Sequence, residues 1–136
     1  MLRNVVLSVA TLVLGLTGFT AQAQAAASAA QCEAMLGDVE SARESMESLE
    51  RSLDEVDAER VELTGAMAGL ERRIAAAQAK GQSIMALRAE LDAMHLEVSL
   101  IDDLRPELVA QLDALKSSID STERSYIACI ETVVGG

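Results

Sequence analysis

The sequence predicts an all-α chain: a long antiparallel two-helix coiled-coil hairpin, closed at its base by a disulfide and bent at Pro106. Three observations carry this. Two apolar ladders run at alternating steps of three and four residues, Cys32 to Ala77 and Ile84 to Val133. A polar break, Gln78-Ala79-Lys80-Gly81-Gln82-Ser83, separates them. The chain's two cysteines, Cys32 and Cys129, fall on matching levels when the ladders are folded onto each other about that break.

The first ladder comprises Cys32, Met35, Val39, Ala42, Met46, Leu49, Leu53, Val56, Arg60, Leu63, Met67, Leu70, Ile74 and Ala77. The second runs Ile84, Leu87, Leu91, Met94, Val98, Ile101, Arg105, Leu108, Leu112, Leu115, Ile119, Thr122, Tyr126, Cys129 and Val133. In each, one arginine interrupts the aliphatic seam. An antiparallel fold-back places an a residue of one helix level with a d residue of the other. Pairs whose numbers add to the same total as Cys32 and Cys129 satisfy this, among them Ala77 with Ile84, Met67 with Met94 and Leu49 with Leu112. Two strict heptads that match once match throughout, so the cysteines are the independent check.

The flanking charges give a mixed account of that register. Glu71 comes level with Arg88 and Arg73 with Glu90, opposite in sign, whereas Asp57 meets Asp102 and Arg43 meets Lys116, like in sign. Arg60 and Arg105 follow Asp57 and Asp102 by three residues on the same helix faces, so Asp57, Arg60, Asp102 and Arg105 are expected to form a neutral, buried polar node. Such a node pins alignment at some cost in stability, as a polar a residue does.

In chain order, residues 1–25 have the pattern of a cleaved secretory signal peptide: Arg3, an apolar run from Val5 to Phe19, then Ala21-Gln22-Ala23. The run is short for an uncleaved span of about 20 residues. The mature domain is then 26–136, with helix one about 29–78, the tip 78–83 and helix two about 84–134. Small residues from Ala25 to Ala30 lead into helix one, with Ser28 as a candidate cap. Gly37 weakens its first turns by roughly 1 kcal/mol relative to alanine. Glu40, Glu44, Glu47, Glu50 and Asp54 mark a solvated face. Within helix two Pro106 frees the carbonyl of Asp102, and because the heptad keeps phase from Ile101 to Leu108 the expectation is a kink. The alternative is a third helix capped by Asp102 or Asp103. Gly135 and Gly136 end the helix. At 1.5 Å per residue the hairpin would measure roughly 70 Å.

Composition bounds the function. Acidic residues number 22 against 11 Lys plus Arg, and removing Arg3 with the leader leaves a net charge of −12. Nucleic-acid binding is excluded on that account, and adsorption to an anionic membrane is disfavoured. No segment after the leader is apolar enough to span a membrane. In an exported chain two cysteines read as a bridge, since two thiolates cannot complete a tetrahedral zinc shell. The localisation expected is therefore periplasmic or secreted.

Chemistry is hard to find. His95 is the sole histidine, without a second histidine or a methionine cluster beside it, so it reads as a surface residue. No glutamate has a histidine three residues later, and no Gly-x-Ser-x-Gly element or phosphate-cradling loop occurs. Neither an enzyme nor a cofactor or metal is expected.

What remains is surface. Thr64 to Met94 holds three acids and four bases, net +1, against nineteen acids and six bases in the rest of the mature chain. Outside the seams this half carries Val61, Gly65, Ala68, Gly69, Ala75 and Ala76 on helix one, and Met85, Ala89, Ala93, Leu96, Leu100 and Leu104 on helix two. A lone hairpin would leave both stripes in water, and stripes of this kind mark a packing surface. The expected function is thus an exported, non-enzymatic interaction or scaffold protein that meets a protein partner, or a second copy, through its tip half. Alternatives are a holdase-like chaperone using the same stripes, and a metal or small-ligand carrier.

Overall fold

A computed structural model of the chain describes residues 28–135. The expected signal peptide and Gly136 lie outside the described residues. Two helices, α1 (Ala29–Ala79) and α2 (Met85–Gly135), pack against each other as a hairpin with no strand among the described residues.

Each terminus at the ends of α1 has a local cause. At its start Ser28 and Gln31 form a capping box: the Gln31 amide donates to Ser28 Oγ at 3.3 Å, and the Ser28 amide donates to Gln31 Oε1 at 2.9 Å. At its end Gly81 has φ 67°, the left-handed conformation that a side chain disfavours. There the Gln82 amide donates to the Ala77 carbonyl at 2.9 Å and the Gly81 amide to the Gln78 carbonyl at 3.0 Å. That paired pattern is a Schellman stop, which turns the chain while satisfying the last carbonyls. Four residues after Gly81, at Met85, α2 begins.

α2 continues unbroken through Pro106, so the three-helix alternative is overturned. The ring occupies an exposed position, away from the seam residues Arg105 and Leu108, where the missing amide bond to Asp102 leaves a carbonyl on the solvent side.

The contacts divide the hairpin into two compact units, each built from both helices. The disulfide unit holds the described residues up to Leu49 and those from Leu112 onward; the turn unit is Glu50–Gln111. In the first, Cys32 and Cys129 are bonded, with an S–S distance of 2.02 Å and Cα atoms 5.7 Å apart. Val39, Leu49, Leu112, Leu115 and Ile119 are the other buried side chains among that unit's described residues. In the second, Val56, Leu70, Ala77, Ile101 and Leu108 are buried.

Every buried side chain among the described residues therefore belongs to one of the two ladders, and the remaining ladder members are half-buried except Arg60 and Arg105. The seam is narrow. Each fully buried Leu, Ile or Val contributes about 1.5–3 kcal/mol. Thr122, on the α2 ladder, satisfies its hydroxyl by donating to the Ser118 carbonyl at 2.9 Å. No buried side-chain polar atom lacks a partner among the described residues.

Candidate functional site

Within the turn unit Asp57, Arg60, Asp102 and Arg105 meet across the helices as two reciprocal ion pairs. Arg60 Nε donates to Asp102 Oδ1 at 2.7 Å with a second contact from Nη2 to Oδ2 at 3.4 Å. Arg105 Nε donates to Asp57 Oδ1 at 2.7 Å, with Nη2 to Oδ2 at 3.2 Å. The fork-to-carboxylate geometry is the bidentate one that arginine favours. Because each arginine reaches the aspartate of the opposite helix, the like-charge meeting of Asp57 with Asp102 is resolved by a diagonal exchange.

Burial of this set is corrected by the structure. The four side chains are 43–49% exposed, and no buried charged residue occurs among the described ones. Two helices cover a seam position from two sides only. A long side chain at such a position keeps its stem over the seam and leads its charged head out at the flank. Arg60 and Arg105 share layers with Ile101 and Val56, which are 0% and 2% exposed, so the apolar seam closes at these levels.

The pairs are thus exposed ion pairs that bridge α1 and α2 at two seam layers. Replacing both arginines with leucine makes the seam continuous at two layers and removes two ordered long side chains. We expect Arg60→Leu/Arg105→Leu to raise the thermal midpoint of the oxidised chain, measured by circular dichroism; a cooperative loss of helix at ambient temperature contradicts it.

Acid should weaken the same pairs. The hydrogen bond from Arg105 holds the Asp57 carboxyl below its ordinary pKa, and that from Arg60 does the same for Asp102. A carboxylate whose pKa is lower folded than unfolded stabilises above the unfolded value, and that stability is lost as pH falls through the folded one. The stability difference between the wild type and Asp57→Asn/Asp102→Asn should therefore shrink as pH drops below about 4. Urea unfolding across that range measures it, and a difference independent of pH refutes the linkage.

Other charge pairings differ from level-by-level expectation. Arg43 pairs with Glu123 of α2, and Arg124 with Asp120 one turn earlier on its own helix. Glu71, Arg73, Arg88 and Glu90 stand exposed, with no ion pair among the described residues. A level match brings backbones abreast, but exposed side chains several bonds long gain too little from such a pair to hold it.

The apolar stripes of the turn unit are exposed. On α1 Val61 is 74% exposed, with Gly65, Ala68 and Ala76 also open to solvent. On α2 Met85 is 80%, Leu96 63% and Leu100 50% exposed. Gly69 and Leu104, expected to lie fully on this surface, are half-buried. At Gly69 the cover comes from its own helix, where Arg72 Nη2 lies 4.0 Å from the place a Cβ would take.

A second apolar set, missed by sequence reasoning, lies in the disulfide unit: Leu36, Ile127, Ile130 and Val134 are exposed. The spacing of Ile127, Ile130 and Val134 by three and four residues was a legible signal of a shared helix face.

His95 is exposed, and among the described residues no three His, Cys, Asp or Glu side chains group as a metal site would require. No described helix is long and apolar enough to cross a membrane. Comparison of the chain with protein-family models, with curated proteins and with solved structures found no match.

Proposed function

We propose that this chain is an exported, non-enzymatic coiled-coil interaction protein that docks a protein helix on the turn unit. The observation that carries the reading is the exposure of Met85, Leu96, Leu100 and Val61 on the outer helix faces of the turn unit. Large aliphatic side chains held in water on a folded surface favour association, since each recovers transfer free energy only when covered. The Cys32–Cys129 bond supports an oxidising compartment, and the leader pattern of residues 1–25 supports export to the periplasm or beyond. A photo-crosslinking residue at Ala68 or at Leu96, in the native compartment, tests the reading. A discrete crosslinked product is expected from both; unmodified chain from both overturns it.

One observation favours a second reading, a holdase-like chaperone. Exposed apolar side chains recur in the disulfide unit as Ile127, Ile130 and Val134, and two separate sticky faces suit capture of unfolded clients. Protection of an aggregating test protein by the purified chain distinguishes this role.

A further inference from the structure

Two outward faces of the turn unit differ in both size and charge. Heptad positions opposite the seam point away from the hairpin partner, so the stripe of α1 and that of α2 look out in opposite directions. The α2 face carries large side chains, Met85, Leu96 and Leu100, all half or more exposed, with Ala89 and Ala93 between them. The α1 face, apart from Val61, is built of small ones. At Gly65 an added Cβ meets nothing within 4 Å, so nothing in the hairpin itself calls for glycine there, although glycine is a poor helix former.

Charge follows the same division. From Val61 to Lys80 there are three bases and two acids; from Met85 to Leu104 there are one base and five acids. Arg72 and Lys80 on the first stretch, and Asp92 and Asp103 on the second, are exposed and in no ion pair among the described residues.

The levels match as well. The total that relates Cys32 to Cys129 also relates Leu96 to Gly65, Leu100 to Val61 and Met85 to Ala76. A copy translated sideways, with its turn level with the first, therefore brings the large face of one α2 against the small face of the next α1. In that placement Arg72 comes within one helical turn of Asp92 of the neighbouring copy.

We infer that the turn unit associates with a second copy of this chain, the Met85–Leu96–Leu100 face of α2 seating on the Gly65–Ala68–Ala76 face of α1 of the next copy. This names the partner of the docking surface proposed above and rests on that reading. The contact is heterologous: each copy offers both halves, one on each side, so association is open-ended in this register. A self-complementary contact of α2 with α2 would bring two acid-rich stretches together and leave the glycine face unused.

Sedimentation equilibrium of the oxidised mature chain tests it with two variants. Leu96→Glu/Leu100→Glu blocks the large face and Ala68→Glu/Ala76→Glu the small one; all four sites are exposed and glutamate is a good helix former, so helicity is the check on folding. The wild type should exceed the mass of two copies as concentration rises, each variant alone should remain a single copy, and an equimolar mixture should form pairs and stop there. A wild type that stays a single copy overturns the inference, as does self-association of either variant alone. If the wild type is a single copy but the Ala68 probe crosslinks a different protein, this inference fails and the docking reading stands. If the probes also yield nothing, both fail.

Discussion

Breaking the Cys32–Cys129 bond is expected to be the most damaging single change to this molecule. The bond joins residues 97 apart in sequence, and in the chain-entropy account opening a loop of that size lowers stability by roughly 4–5 kcal/mol. Few domains of this size have more than 5–15 kcal/mol in total. The loss should also be local before it is global. In the disulfide unit both cysteines are buried, and the α2 end around Cys129 carries the exposed side chains Ile127, Ile130 and Val134. Without the bond the two helix ends have only Val39 and the half-buried Met35, Tyr126 and Val133 to hold them together. Hydrogen exchange of the reduced chain, or of Cys32→Ser/Cys129→Ser, should show amides of residues 29–39 and 126–135 exchanging faster at a concentration of denaturant where the turn unit stays protected. Unchanged urea midpoints after reduction would remove the bond from any structural role.

The disulfide and the turn were both legible in the sequence because each rests on a property that spacing alone determines. A heptad ladder records which side of a helix faces its partner, and a glycine just past the last helical residues records where the helix must stop. The expected end of α1 at about residue 78 and its observed end at Ala79 differ by less than helix fraying. What the ladder could not record is how far a side chain reaches. Level matching paired Arg43 with Lys116, while the guanidinium spans the flank to Glu123. It placed Asp57 against Asp102, while each takes the arginine that lies one step along the opposite helix. It counted seam arginines as buried, although two helices enclose a seam on only two sides. The same thinness explains why large aliphatic residues outside the ladders stay exposed. A hairpin has no third layer to cover them.

Adjacent residues of α2 provide the sharpest test of that division between seam and outer face. Ile101 is 0% exposed and Leu100 is 50% exposed, although both are aliphatic and one peptide bond apart. Ile101→Ala deletes methylenes from the seam at the layer of Arg60, where the surroundings relax only partly, and should cost about 2–4 kcal/mol. The lower part of that range is favoured by a two-helix core, because solvent and the Arg60 stem can settle into the gap. Leu100→Ala removes side-chain atoms already half in water and places the best helix former in a helix interior, so the stability of a single copy should change by less than about 0.5 kcal/mol. Its effect should appear instead in the concentration dependence of mass, where the outer face of α2 is the contact. Chemical denaturation at low concentration separates the two. Equal losses from the two alanines would mean that Leu100 is covered in the isolated hairpin, and the outer face would then have no surface to offer another helix.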